Sequence, residues 1–209
     1  MSLRDLTLGS FGEALASSRP TPGGGSASAL AGSLASALVA MVARTTAGSK
    51  KFADRAAQME SIAREADALR TDLLVLVDED AAAFDQVMQA IRLPKTTAEE
   101  QAARAHALQD GYRAAIGPPM KVCDGAVRAL ELAVQVAEAG TPSAASDAGV
   151  AALLASAALE GGALNVRINQ GSVTDQTYKD TLTARLQALS ARGKQLRDRA
   201  LALVEVKLA

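Results

Sequence analysis

The 209 residues include 47 alanines, three phenylalanines, two tyrosines and no tryptophan, so a core must be built from Ala, Leu and Val at short distances, a composition that favours helices. Lys and Arg number 22 against 23 Asp and Glu, and no basic cluster tracks a phosphate backbone, which argues against a nucleic-acid partner. One cysteine, Cys123, and one histidine, His106, exclude an internal disulfide, a zinc finger and a Glu-x-x-His di-iron bundle.

Strand signals are missing along the chain and helix punctuation is frequent. The expected fold class is all-α: a single domain over residues 1–209, a multi-helix bundle whose short connections favour mostly antiparallel neighbours. The opening Met1-Ser2-Leu3-Arg4-Asp5 has no apolar run behind its charges and does not read as a secretion signal, which sets a cytoplasmic expectation. A first helix is expected over about Arg4 to Ser17. Prolines 20 and 22 and glycines 23 to 25 then forbid a regular element, and Ser26 is expected to cap the next helix, which runs to about Thr46. Its segment Ala27–Ala43 carries no charge, yet its Ala, Ser and Gly content puts it at the weak limit for a membrane span; a buried central helix and no membrane partner are expected. Small residues Ala29, Gly32, Ser33, Ser36 and Ala40 recur there at helical spacing, which suits close helix approach and a homodimer. A long helical stretch from about Lys50 to Arg92, with room for a break, closes at Leu93-Pro94-Lys95. Thr97-Ala98-Glu99-Glu100 reads as a capping box, and the helix it opens should reach about Glu138, with an end or kink forced at Gly117-Pro118-Pro119. Gly140-Thr141-Pro142 makes a turn, Ser146 or its neighbour caps a helix to about Gln170, and a last amphipathic helix covers about Thr174 to Val206.

Three features carry chemistry. Pro22-Gly23-Gly24-Gly25-Ser26 opens a helix and offers free amides and close backbone approach to an anion or a flat polar ring; the same run also serves as a turn swinging one helix under another. Lacking a Lys-Ser/Thr pair and a preceding strand, it is not a phosphate loop. Asp80 falls in the middle of the stripe Leu73, Leu76, Val77, Phe84, Val87 and Ile91, where a carboxylate has to be paired, hydrogen-bonded or protonated; a functional acid and a structural ion pair both meet that need. Asp78 and Asp85 lie on another side and read as solvated. The third feature is the helix after Ser146. Asp147 in its first turn is stabilised by the helix dipole, while Asn165 and Asn169 share a stripe with Leu154 and Ala158 and need partners. Roughly 27 Å of helix separates Asp147 from Asn165, so only a long ligand or a second subunit brings both into use. His106 reads as solvent-facing and Cys123 as a small buried filler.

Taken in order, Pro20-Thr21-Pro22-Gly23-Gly24-Gly25-Ser26, Thr46-Ala47-Gly48-Ser49-Lys50-Lys51-Phe52, Asp78-Glu79-Asp80 with Phe84-Asp85, Leu93-Pro94-Lys95, Ser146-Asp147-Ala148-Gly149-Val150 and Ala163-Leu164-Asn165-Val166-Arg167-Ile168-Asn169 resemble the motifs of the cyclodeaminase/cyclohydrolase family. That family contains methenyltetrahydrofolate cyclohydrolase and the cyclodeaminase half of formiminotransferase-cyclodeaminase. The resemblance therefore implies an all-helical homodimer with a folate substrate. It further implies that Pro22, Gly23, Gly24, Gly25, Ser26, Lys50, Lys51, Asp80, Lys95, Asp147, Asn165, Arg167 and Asn169 face the ligand. Ser49 departs from the pattern, standing where the family's lysine run usually begins, and Thr45 stands where an apolar residue is common.

On that resemblance the expected activity is hydrolysis of 5,10-methenyltetrahydrofolate to formyltetrahydrofolate, with no metal and no cofactor. Asp80 is the expected general base and then proton donor, and Asp147 is the second catalytic candidate. The glycine loop and Asn165 are expected on the pterin edge, and Lys50 or Lys51 on the glutamate carboxylates. Formiminotetrahydrofolate cyclodeaminase, which releases ammonia, is the alternative; lack of a fused formiminotransferase segment weighs against it. A non-catalytic folate-binding helical dimer is the alternative of another class.

Overall fold

Six α-helices follow one another along the chain: α1 (Leu8–Leu15), α2 (Gly24–Ala47), α3 (Ala56–Ile91), α4 (Ala98–Ala139), α5 (Ala145–Gln170) and α6 (Gln176–Leu208). The computed structural model describes residues 2–209, and no strand occurs among them. Short 3-10 turns at Leu3–Asp5, Lys50–Arg55 and Pro142–Ala144 complete the elements.

Side-chain pairs set the helix directions. Arg44 pairs with Asp67, the Ser33 hydroxyl donates to the Arg70 carbonyl and Ser26 meets Asp80, so α2 and α3 are antiparallel. Glu65 with Arg128 and Glu79 with Lys121 give the same sense for α3 and α4. Cys123 with Leu159 and Ala115 with Asn169 do so for α4 and α5, and Glu160 with Arg197 and Gln170 with Thr183 for α5 and α6. By contrast α4 and α6 run parallel: Asp124, Glu131 and Glu138 pair with Arg185, Arg192 and Arg199, each rung one heptad beyond the last. These pairs are half-exposed and contribute little stability each.

The centre of the bundle is α2, packed against α3, α4 and α5. Its small residues Ala29, Gly32, Ser33, Ser36 and Ala40 are buried against these neighbours, so the close approach they permit occurs inside the chain rather than with a partner. A methyl at Gly32 would lie 3.2 Å from a Leu73 methyl. Both α2 and the stretch Pro142–Gln170 are long and apolar enough to cross a membrane by length and composition, and 56% of each apolar window is buried within the bundle.

Local rules placed most boundaries well and failed where distant residues intervene. The first helix is split: Leu3–Asp5 is a 3-10 turn, and Thr7, accepting from the Ser10 amide, caps α1 afresh. The long stretch from Lys50 breaks at Phe52, whose ψ of 27° leaves the helical region, and α3 starts at Ala56. The Thr97 capping box forms as read, with Thr97 and Glu100 bonding each other's backbone amides. Gly23, not Ser26, is the N-cap of α2, because the Ser26 side chain is turned inward to α3. Ser146 does not cap α5, whose first turn follows directly from the 3-10 turn at Pro142.

The expected end or kink at Gly117-Pro118-Pro119 does not end α4, which is assigned as one helix through it. Pro119 has no N–H to give the Ala115 carbonyl; the Asn169 Nδ2 donates to that carbonyl from α5 at 3.2 Å. Asn169→Ala should leave this buried carbonyl without a partner and cost about 1–3 kcal/mol. In urea unfolding the midpoint should fall with the slope unchanged.

Candidate active site

The start of α2, the middle of α3 and the last turns of α5 converge on a cleft of about 260 Å³, lined by Pro20, Thr21, Gly23, Gly24, Gly25, Asp80, Phe84, Ala115, Asn165, Ile168 and Asn169. Proximity requires glycine at position 25 and crowds position 24. A Cβ on Gly25 would overlap the Asp80 carboxyl, and one on Gly24 would sit 3.3 Å from the Asn165 Nδ2. Backbone therefore touches both functional side chains, and the first amides of α2, which have no side-chain cap, lie at the same end.

Asp80 is half-buried, and no Lys or Arg pairs with it among the described residues. The structural ion pair that the sequence left open has no partner here. Burial pushes its carboxyl above the ordinary aspartate range, opposed by hydrogen bonds from the Ser26 hydroxyl and backbone. Ser26 is fully buried, with its Oγ 3.0 Å from the Asp80 Oδ2 and 3.0 Å from the Val77 carbonyl. The flanking acids are occupied: Glu79 pairs with Lys121 at 2.9 Å, and Asp78 accepts from the Ser2 hydroxyl and the Leu3 amide, each at 2.6 Å, beside Arg4. Asp78 is thus no solvated residue; it ties the N-terminal segment to α3. Asp85 is exposed, as read.

Asn165 and Asn169 find the partners their stripe demanded. The Asn165 Nδ2 donates to the Gly161 carbonyl at 2.8 Å, and the Asn169 Nδ2 to the carbonyls of Ala115 and Asn165. Asn169 spends both of its N–H bonds in this way and Asn165 one of its two, so the two side-chain oxygens and the second Asn165 N–H are the groups available to a ligand. The cleft therefore presents one desolvated carboxylate, two amide oxygens, the α2 amides and apolar flanks from Phe84 and Ile168. Such a set suits a flat ring rich in N–H donors and can take a proton from it or from water.

The other residues expected to face the ligand lie elsewhere. Pro22 is buried behind the loop, following a cis peptide bond. Lys50 and Lys51 follow the far end of α2, roughly 36 Å of helix from the glycines. Lys51 lies over the Phe52 ring, 5.7 Å from its centroid. Lys95 is exposed in the α3–α4 connection, and Asp147 is in the first turn of α5, at the opposite end from Asn165. Arg167 turns to the α6 side, into a groove with Gln170, Thr183, Gln187 and Ser190. Gly23, Gly24, Gly25, Asp80, Asn165 and Asn169 are the expected residues that the cleft unites, with Ser26 directly behind Asp80. Phe84, Ala115 and Ile168 were not anticipated as lining residues; Phe84, one turn beyond Asp80 on the same stripe, carried the readable signal. His106 is exposed beside Asp110, and the Cys123 thiol, pushed up to about 12 mainly by burial, is unsuited to nucleophilic work. Among the described residues no cluster of three His, Cys, Asp or Glu could hold a metal ion.

Comparison with known proteins identifies the family. The family model described as formiminotransferase-cyclodeaminase matches residues 7–188. The chain belongs to this family. A methenyltetrahydrofolate cyclohydrolase of Methylorubrum extorquens is 39% identical over 202 residues, which cover 97% of each protein. The mouse formimidoyltransferase-cyclodeaminase is 34% identical over 193 residues, 92% of this chain but 36% of the mouse protein. The crystal structure of formiminotetrahydrofolate cyclodeaminase from Thermotoga maritima matches with a TM-score of 0.89 and 28% identity over all of both chains. The resemblance read from the six motifs thus holds, and the formiminotransferase-cyclodeaminase family members it matches are enzymes.

Proposed function

We propose that this protein is a methenyltetrahydrofolate cyclohydrolase with Asp80 as its acid–base group. The observation that carries the reading is an unpaired, partly desolvated carboxylate in a cleft with no cationic side chain. Water adds to the amidinium-like carbon of the substrate: a C–O bond forms, Asp80 takes the proton from water, and the positive charge is discharged. The adduct then collapses. The C–N bond to one ring nitrogen breaks, that nitrogen takes the proton from Asp80, the adduct hydroxyl gives its proton to solvent as its C–O bond becomes C=O, and a formyl group remains on the other nitrogen. Because cationic charge disappears along this path, a carboxylate that merely paired with the substrate would favour the ground state; proton transfer is the role that accelerates the reaction. A raised carboxyl suits both halves of the cycle. In this scheme the Asn165 and Asn169 side chains hold the polar edge of the ring, and neither metal nor cofactor takes part.

The higher identity to the M. extorquens cyclohydrolase, 39% against 28% for the T. maritima cyclodeaminase, supports this activity over the deaminase. The T. maritima match favours formiminotetrahydrofolate cyclodeaminase as the second reading, since ring closure with loss of ammonia passes through related intermediates. Purified protein, assayed with chelator on each substrate, should show the higher kcat/KM on methenyltetrahydrofolate. A preference for the formimino substrate would reverse the order, and loss of activity with chelator would overturn the metal-free scheme.

The proposal includes a homodimer. Leu34, Leu38 and Met41 of α2 and Val150, Leu153, Leu164 and Ile168 of α5 flank the α2–α5 seam, and Ile168 is 74% exposed. Exposed apolar side chains on two neighbouring helices favour cover by a second copy. An isologous pairing with α5 antiparallel to its copy would set the Asp147 end of one protomer near the cleft of its partner. Leu153→Glu should convert the dimer to a monomer in light scattering at micromolar concentration; a wild-type monomer would remove this part of the proposal.

A further inference from the structure

We propose that Ser26 is a positioning residue whose hydroxyl turns its single O–H bond between Asp80 and the Val77 carbonyl as Asp80 alternates between base and acid. The inference rests on the catalytic reading of Asp80. Its geometric basis is one donor between two acceptors: the buried Ser26 Oγ is 3.0 Å from the Asp80 Oδ2 and 3.0 Å from the Val77 oxygen. One hydroxyl proton cannot serve both fully. The Val77 carbonyl lies within α3, where the backbone ladder already gives it an amide, so it tolerates either orientation of Ser26.

An ionised Asp80 is the stronger acceptor and draws the hydroxyl proton to itself. When Asp80 takes a proton from water, that pull falls. The hydroxyl then rotates about its C–O bond toward Val77, and the Oγ lone pair faces the protonated carboxyl. No heavy atom has to move, and the carboxyl keeps its place against Gly25 throughout. No other group facing Asp80 responds to its charge in this way. On α3 itself, Asp78 is held by Arg4, Ser2 and Leu3, and Glu79 by Lys121 of α4. From α4 the cleft receives Ala115, and from α5 the neutral Asn165 and Asn169, with Arg167 turned toward α6. Burial raises the Asp80 carboxyl and the Ser26 hydrogen bonds lower it, the balance expected of a group that must both take and return a proton.

The test is the Asp80 titration, followed by carboxyl-carbon NMR in the full-length protein and assigned by the signal lost in Asp80→Asn. In Ser26→Ala the midpoint should rise by about one pH unit, the scale of a lost hydrogen bond to an ionised group. The acid limb of kcat/KM should move up with it while KM changes little. Ser26→Cys, which keeps a weaker donor, should shift both by less, and gives the reading if Ser26→Ala does not fold. An unmoved midpoint in the folded variants, or a uniform fall in kcat with the limb in place, would show a purely structural serine and overturn the inference. Full turnover in Asp80→Asn would instead overturn the catalytic reading beneath it.

Discussion

Asp80→Asn should cut turnover of methenyltetrahydrofolate by roughly 10²–10⁴-fold, the usual reach of general acid–base catalysis, while the protein stays folded and still binds folate. Stability should move the other way. The folded state holds the Asp80 proton more tightly than the unfolded chain does, because burial raises the carboxyl above its ordinary value. Its contribution to stability is therefore fully present below the unfolded value and is lost as pH rises through the folded one. Asparagine cannot ionise, so the variant escapes that loss, and its melting temperature should match or exceed wild type at neutral pH, with a gap that narrows in acid. A buried ion pair would behave oppositely, since removing one partner strands the other. Asp80 has no such partner.

Gly25→Ala should damage catalysis by a different route. Its Cβ would occupy the space of the Asp80 carboxyl, and the aspartate would have to rotate out of the cleft or α2 would have to shift. Displacing a catalytic group by about an ångström costs on the order of 10²-fold in rate, and overpacking a tight site costs about 1–3 kcal/mol in stability. Gly24→Ala is the comparison. Its Cβ would meet the Asn165 amide at 3.3 Å, a contact that a side chain relieves by a small shift, so the loss should be several-fold smaller. Steady-state kinetics and thermal unfolding of the two variants measure the ranking; equal, mild effects would mean that the glycines serve only the turn.

The helices were legible because their signals are local. The Thr97 capping box, the Leu93-Pro94 stop and the stripe through Leu73, Val77 and Val87 each need only neighbouring residues, and each appears as read. Of the end or kink read at Pro118-Pro119, the end does not occur, and the group that serves the carbonyl Pro119 leaves free, Asn169, lies on another helix where local rules could not see it. Ser26 misled in the same way: a serine at a helix start looks like a cap until α3 supplies better partners. Asp78 looked solvated because its periodicity could not reveal that Ser2 and Leu3 fold back onto it. Asp80 was found because a carboxylate on an apolar stripe is costly wherever it occurs, so the anomaly shows without any tertiary knowledge. Lys50, Asp147 and Arg167 lie in recognisable motifs, yet order in the chain carries no distance, and the folded chain sets these three side chains apart from the cleft.

The pH dependence of kcat/KM for methenyltetrahydrofolate hydrolysis, measured on wild type and Asp80→Asn in chelator, tests the central claim most directly. With Asp80 as base, wild-type activity should fall along an acid limb lying above the ordinary aspartate range, and the residual activity of Asp80→Asn should lack that limb. A wild-type profile that stays flat down into the ordinary aspartate range, or the same limb persisting in Asp80→Asn, would contradict the assignment.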